Sequence, residues 1–283
     1  MKKIIRDLTP PLLWRALGKI KSSLGKSEIK EWEYVPEGWA ARDNNPKIKG
    51  WNVDSVLSAY KVNWASFTQN LAGTSPFGFS PESSSTERTN LMFQNIIMIY
   101  AYALALASRH KHSISLLDWG GAIGHYYPIS QKLIPDLKID YHCKDVPVLA
   151  EYGGSLFPDA HFYSDESCLE QEYDLIFASG SLQYTQDWAE LIAKFAQATK
   201  GYLFVTRFPV VEKSPSFVIV QRPYQYGYDT EYIGGCVNRQ EFINTAENNS
   251  LTLVREFIAQ ESPYVHNAPE QPKYYGFLFK KSD

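Results

Sequence analysis

The sequence predicts an α/β fold: a mostly parallel sheet with helices on both faces, closed by an antiparallel C-terminal edge hairpin and preceded by an N-terminal helical extension. Three observations predict it. From residue 90 onward, short apolar runs alternate with stretches of helical periodicity, the signature of strands joined by helical crossovers. One run, Ile114 to Leu117, ends in Asp118 and glycines at 120, 121 and 124, a buried strand that stops in a tight turn and opens a helix. Two late apolar runs separated by a loop supply the hairpin.

The elements follow in chain order. Residues 1–30 are basic, with Lys2, Lys3, Arg6, Arg15, Lys19, Lys21, Lys26 and Lys30 against Asp7 and Glu28. Pro10-Pro11 suits the first turn of a helix, and Leu13, Leu17, Ile20 and Leu24 then share one face. Such a helix either lies on an anionic membrane surface or docks on its own domain or a partner subunit. Residues 31–88 are rich in Trp, Gly, Pro, Ser and Asn; Gly38-Trp39 and Gly50-Trp51 read as turns, Val53 to Asn70 as a helix and Thr74 to Thr89 as a loop. Residues 1–88 thus form an extension that caps the site or wraps the main domain, residues 89–283.

In that domain Leu91 to Ser108 reads as helix, Ile114 to Leu117 as strand and Tyr126 to Ile134 as helix. Lys138 to Cys143 is a strand, Val146 to Gly153 begins a helix, and His161 to Ser164 and Tyr173 to Ala178 are strands. Trp188 to Thr199 is an amphipathic helix with Leu191, Ile192, Phe195 and Ala196 on one face. Tyr202 to Arg207 is the fifth strand, Gln240 to Asn248 a helix, and Leu251 to Ala259 and Tyr274 to Lys281 the closing strands.

Composition narrows the classes of function. A net charge of -3 argues against a dedicated nucleic-acid binder. Cys143, Cys168 and Cys236 are scattered, with no Cys-x-x-Cys pair, which points to a reduced, cytoplasmic compartment. The basic start runs into Pro10-Pro11 and not into the apolar core of a leader peptide. Leu91 to Ala107 carries Gln94 and Asn95 and reads as a buried helix, not a membrane span. Aromatics make up 14%, with 19 Tyr and 7 Trp, which suits ring- or sugar-binding surfaces and a large core alike.

The glycine turn carries the functional signal. A dinucleotide fingerprint would place its first glycine at Trp119, so that pattern fails. No Lys-Ser or Lys-Thr follows, so a phosphate-cradling Walker loop is absent too. Asp118, at the strand end, is placed to hold a cationic or hydroxyl group of a ligand. Asp118, Trp119, Gly120, Gly121, Ala122, Ile123 and Gly124 resemble motif I of the class I S-adenosylmethionine-dependent methyltransferases, with Ala122 where that pattern has its middle glycine. The order of this motif, Asp145-Val146-Pro147 and Tyr173 to Tyr184 carries the resemblance over residues 90–281. Asp7 to Pro11, Trp39, Gly50-Trp51 and Leu117 to Gly124 are similar to a bacterial methyltransferase family associated with surface-polysaccharide synthesis.

The resemblance implies a Rossmann-like methyltransferase sheet and S-adenosylmethionine as cofactor, with S-adenosylhomocysteine as product. It implies O-methylation of a saccharide or related polar metabolite in surface-glycan synthesis, in the cytoplasm or at the inner face of the membrane. Ligands of open parallel sheets sit at the carboxyl ends of the strands. Asp118, Gly120, Gly121 and Gly124 therefore line the cofactor. Asp145 is read either as the ribose ligand or as the cap of the helix that Pro147 begins. Asp165 falls near the adenine amino group or is an ordinary turn cap. Ser179 and Gly180 border the ligand, and Gln183 and Tyr184 border donor and acceptor or belong to the core. Methyl transfer to a hydroxyl needs alignment and a proton acceptor; His125 and His266 are the candidates. Tyr126, Arg207, Tyr224 and Tyr226 are candidates to position a glycan. No metal-ligand constellation is evident, since His110 and His112 face apart on a helix. The alternative is a non-catalytic module that binds a nucleoside or glycan within a biosynthetic complex, consistent with Ala122 and with the lack of an evident base.

Overall fold

A computed structural model describes residues 30–82, 90–260 and 262–282. The basic N-terminal helix expected from the sequence lies outside the described residues. Trp32–Asp283 forms one compact unit, so residues on both sides of the boundary expected at 88 belong to it.

The expected strands and helices are present with small shifts at their ends. β1 (Trp32–Tyr34) and α1 (Asp54–Ala72) precede α2 (Leu91–Ala107), β2 (Ser113–Trp119) and α3 (Tyr126–Leu133). β3 (Lys138–Lys144), α4 (Pro147–Leu156), β4 (His161–Tyr163), β5 (Tyr173–Ser179), α5 (Trp188–Ala198) and β6 (Thr199–Val211) continue the alternation. β7 (Phe217–Gln221), β8 (Tyr232–Asn238), α6 (Arg239–Asn248), β9 (Leu251–Gln260) and β10 (Lys273–Lys281) complete it.

The main sheet runs β4-β3-β2-β5-β6-β10-β9. The pairings from β4 through β6 are parallel, and β10 inserts antiparallel between β6 and β9. This is a Rossmann-like sheet with the expected antiparallel edge. From β2 the chain winds first toward β3 and β4, then crosses to β5 and β6. The switch point therefore falls between β2 and β5, and in open α/β sheets ligands bind at the strands' carboxyl ends at such a point. Asp118 is aligned with Cys143 of β3 and Phe177 of β5 at that point.

Periodicity explains the layers. Leu191, Ile192 and Phe195 of α5 and Phe242 of α6 pack on one sheet face with Ile176, Leu203 and Phe277. Tyr100, Ala103 and Leu104 of α2 pack on the other face with Leu116, Phe177 and Phe204. Asn90 caps α2 by accepting from the Met92 and Phe93 N–H groups, a cap worth about 1 kcal/mol. The polar Asn95 in this apolar helix donates to the Ile258 and Ala259 carbonyls, both at 2.9 Å. Among the described residues no helix is long and apolar enough to cross a membrane.

Two features go beyond the sequence reading. β6 does not end at Arg207 but runs to Val211, with a bulge on the way. Phe208 faces Tyr275 and Val205 faces Phe277, so Thr206 and Arg207 together oppose Gly276. Arg207 takes φ +53° there. Beyond the bulge, Val210 and Val211 pair with β8, and β7 and β1 add antiparallel outside it. This β8-β7-β1 wing was not anticipated, because Gly234-Gly235 interrupts the strand pattern and β1 has three residues.

Candidate functional site

The glycine turn is held by three backbone conformations. Gly120, Ala122 and Gly124 have φ of +71°, +52° and +80°. Ala122 thus occupies a left-handed conformation that favours glycine, at the position where the motif has its middle glycine. Gly121 is needed for a different reason: a Cβ on it would lie 2.4 Å from Asp118 Oδ2 and 2.8 Å from Cys143 Sγ. A Cβ on Gly120 would lie 2.2 Å from Ser181 Cβ, and one on Gly124 2.7 Å from the Phe162 ring. The turn is therefore packed closely on its own scaffold. Lys144 Nζ lies 4.6 Å over the Trp119 ring and pins the residue between acid and glycine.

Asp118 is buried beneath this turn. The Tyr141 hydroxyl donates to Oδ2 at 2.5 Å, while buried Oδ1 has no hydrogen-bond partner among the described residues. Burial pushes its carboxyl up to about 7, with the charge of Asp145 adding and the Tyr141 bond opposing. Asp145 fastens the turn to β3: Oδ2 accepts from the Ala122 N–H at 2.7 Å and Oδ1 from the Val146 N–H at 2.6 Å. Each oxygen retains a second lone pair, so these bonds do not exhaust its accepting capacity. Burial raises its carboxyl, against the pull of the two N–H groups.

A second group of polar side chains gathers at the end of β5 and at the bulge in β6. Gly180 has φ +63° and packs against the Arg207 guanidinium, whose Cζ would lie 3.4 Å from an added Cβ. The Arg207 Nε–H donates to Gln260 Oε1 at 3.2 Å. The Tyr126 hydroxyl lies against Ser179. His125, next to the turn, meets the Tyr126, Tyr60 and Phe67 rings at centroid distances of 4.7, 6.3 and 6.3 Å. Burial lowers its pKa to about 4; Glu82 opposes and Arg207 adds to this shift. His125 is thus neutral at pH 7 and less basic than an ordinary histidine, with a buried Nδ1 lacking a partner among the described residues.

α1 closes over the same place. Val56 and Tyr60 of α1 share an apolar cluster with Ala122 and Ile123 of the turn and with Tyr228 and Tyr232. The Tyr60 hydroxyl donates to Glu82 Oε1 at 2.9 Å. Trp51 stacks on Tyr232 at 4.0 Å and meets Tyr184 edge-on at 5.3 Å. The buried Trp51 Nε1, Tyr232 hydroxyl and Gln183 Oε1 have no hydrogen-bond partner among the described residues. Buried polar groups are normally satisfied, so this set around the turn fits a polar ligand.

The structure thus brings together Asp118, the three glycines, His125, Tyr126, Asp145, Ser179, Gly180, Gln183, Tyr184 and Arg207. Of the others, Tyr226 lies 6.0 Å from the Tyr228 ring that packs by the turn, and Asp165 is within electrostatic reach of Lys144. Asp165 is exposed and accepts from the Ser167 N–H and hydroxyl, which hold its carboxyl below the usual range. Tyr224 and Tyr226 lie on the turn between β7 and β8, and the Tyr224 hydroxyl donates to Glu231 at 2.5 Å. His266 is fixed at the sheet's edge: its N–H donates to the Trp32 carbonyl and its carbonyl accepts from Tyr34, both in β1. Two strands, β7 and β8, separate that edge from β6. Sequence reasoning missed Tyr60, Glu82, Tyr228 and Tyr232 as neighbours of the turn. The tyrosines' only signal was the aromatic richness of the chain, and Glu82 had none.

No family model and no curated protein matches the sequence. Solved structures resemble the fold. The chain is similar to the magnesium protoporphyrin IX methyltransferase from Synechocystis, with a TM-score of 0.47 and 11% identity over 81% of this chain and 98% of that one. It is similar to a TehB-like S-adenosylmethionine-dependent methyltransferase from Corynebacterium glutamicum, with a TM-score of 0.42 and 20% identity over 80% and 100% of the two chains. It is also similar to a sugar N-methyltransferase from Streptoalloteichus, with a TM-score of 0.45 and 9% identity over 67% and 87%.

Proposed function

We propose that this chain is an S-adenosylmethionine-dependent methyltransferase. One observation carries the reading: a buried carboxylate oxygen without a partner, Asp118 Oδ1, beneath a left-handed glycine turn at the switch point of a β4-β3-β2-β5-β6-β10-β9 sheet. The residues present fit this cofactor. Asp118 offers an acceptor for a cationic amino group, and Asp145 retains lone pairs for ribose hydroxyls. When bound, the sulfonium supplies an activated methyl group.

The acceptor site in this reading lies between α1, the end of β5 and the β6 bulge. Tyr60, Tyr126 and Tyr184 offer ring faces with polar tips, and Arg207 and Glu82 offer opposite charges. That combination supports a polyhydroxylated acceptor such as a saccharide, in keeping with the sequence resemblance to surface-polysaccharide enzymes. α1 excludes water by covering the turn. His125 Nδ1 is the proton acceptor for the attacking hydroxyl; its low basicity limits it to taking the proton late, as the new bond forms. His266, held against β1, has no part in this arrangement.

Calorimetric titration of the intact chain with S-adenosylmethionine and S-adenosylhomocysteine tests the proposal. Binding that Asp118→Ala and Gly120→Val abolish supports it; absent binding, or binding that both variants leave unchanged, removes it. The depressed basicity of His125 favours a second reading, a nucleoside-binding module without turnover. Affinity for the cofactor without methyl transfer to any component of a polar-metabolite extract would select that reading.

A further inference from the structure

The face of β3 and β4 that carries even-numbered β3 side chains holds three groups the glycine-turn site does not use. Asp140 and His142 are two residues apart on β3 and so share a face. His142 is aligned with His161 on the parallel strand β4. That register sets the two imidazoles side by side, with ring centroids 4.5 Å apart and planes inclined by 22°. Both Nε2 atoms face one carboxylate: Asp140 Oδ1 lies 3.2 Å from His142 Nε2 and 3.5 Å from His161 Nε2. The three prospective ligand atoms all lie within 4.8 Å of one another.

These separations have a simple meaning. Bonds of about 2.0–2.2 Å to a tetrahedral zinc ion place its ligand atoms about 3.3–3.6 Å apart. The two measured gaps match such edges. The His142 side chain is 5% exposed, and its buried Nε2 faces the Asp140 carboxylate at 3.2 Å without the alignment of a good hydrogen bond. A cation bound between the two groups would satisfy that nitrogen and the carboxylate together.

The far side of the ring is already oriented. His142 Nδ1 lies 3.0 Å from the Tyr163 hydroxyl and 3.1 Å from Gln171 Nε2. Gln171 Nε2–H in turn donates to the Tyr173 hydroxyl at 2.8 Å. Metal ligation at Nε2 selects the tautomer with its hydrogen on Nδ1; the Tyr163 oxygen accepts that hydrogen as an outer-shell partner, while the Gln171 amide directs its own hydrogens to the Tyr163 and Tyr173 hydroxyls.

We propose that Asp140, His142 and His161 form a site for one divalent transition-metal cation of the zinc class, which ties β4 to β3. Two imidazoles with one carboxylate suit zinc; magnesium and calcium prefer all-oxygen ligands. Asp140 and His161 are 59% and 56% exposed, which leaves the fourth position open to water and the site open to entry. The site is separate from the glycine turn and carries no step of methyl transfer.

The test uses the full chain without a histidine tag, stripped with a chelator and free of nucleosides. Zinc is titrated by calorimetry and cobalt(II) by visible absorption. The expected result is one equivalent of either ion, with the intense visible bands of four-coordinate cobalt. His161→Gln and Asp140→Asn each weaken binding about tenfold or more, whereas a His110→Gln/His112→Gln double variant binds as the parent does. Both single variants alter exposed side chains, and far-ultraviolet circular dichroism checks that they stay folded. Absence of stoichiometric binding by the parent chain, or equal binding by His161→Gln and Asp140→Asn, overturns the proposal.

Discussion

The Tyr141 hydroxyl donates to Asp118 Oδ2 at 2.5 Å, linking β3 to the acid near the end of β2. This bond opposes burial and holds the Asp118 carboxyl at about 7 instead of higher. Tyr141→Phe removes it. The expected outcome is a higher Asp118 pKa and, at pH 7, about tenfold weaker binding of S-adenosylmethionine, the equivalent of roughly 1.4 kcal/mol. Titrations at pH 6, 7 and 8 measure it. An unchanged pH profile in the variant would detach Asp118 from the ligand.

Asp118 and His125 give opposite signs to the pH dependence of stability. The folded Asp118 pKa is raised from 3.8 to about 7, so the folded chain retains a proton that the unfolded chain releases in between. Its contribution is fully present below pH 3.8 and is lost as pH rises through about 7. The folded His125 pKa is lowered from 6.5 to about 4, so its contribution is present above pH 6.5 and lost as pH falls through about 4. Urea midpoints from pH 4 to 8 should therefore rise toward neutrality more steeply in Asp118→Asn than in the parent chain. They should rise less steeply in His125→Gln. A cationic ligand favours ionised Asp118, so cofactor affinity should climb with pH up to about 7 and then level.

Ala122 is the strained member of the turn. Its φ of +52° costs an L-residue about 1 kcal/mol or more, and glycine removes that cost. Ala122→Gly should stabilise the chain by up to about 1 kcal/mol, a rise in Tm of about 2–4 °C. Gly120→Ala should do the reverse, because its Cβ would meet Ser181 Cβ at 2.2 Å. Differential scanning calorimetry of the two variants measures both shifts. A fall in Tm for Ala122→Gly would show that the methyl group contributes more by packing with Val56 and Tyr60 than its backbone conformation costs.

The parts of this fold that were legible in the sequence are those set by local pattern. Leu191, Ile192, Phe195 and Ala196 of α5 are buried as their spacing predicts. The strand ending in Asp118 and the helix opening at Tyr126 fall where the glycines place them. What depends on distant pairing was not legible. β1 joins β7 across the chain, and the Arg207 bulge exists only opposite Gly276. Tyr60 and Glu82 meet across 22 residues that carry no shared motif. Asp140 and His142 announce a shared strand face, but His161 joins them only through the register of β4. His125 shows the same limit in its chemistry: its proximity to the turn was readable, whereas the burial that lowers its pKa to about 4 belongs to α1 and α3.

Trp51 tests whether α1 and its approach belong to the ligand site. The indole stacks on Tyr232 at 4.0 Å, while its buried Nε1 has no hydrogen-bond partner among the described residues. A ligand in the crevice offers that nitrogen an acceptor, and ordering it costs little because the ring is already stacked. Trp51→Phe keeps most of the stacking but removes the N–H, so stability should fall by about 1 kcal/mol or less. Cofactor or acceptor affinity should fall several-fold, since a hydrogen bond contributes about 0.5–1.5 kcal/mol. Tryptophan fluorescence of the parent chain should change on ligand addition, and the change should shrink in the variant although six other tryptophans remain of the 7. Equal affinity and an equal fluorescence change in Trp51→Phe would place the ligand elsewhere and leave α1 as a structural wrap around the glycine turn.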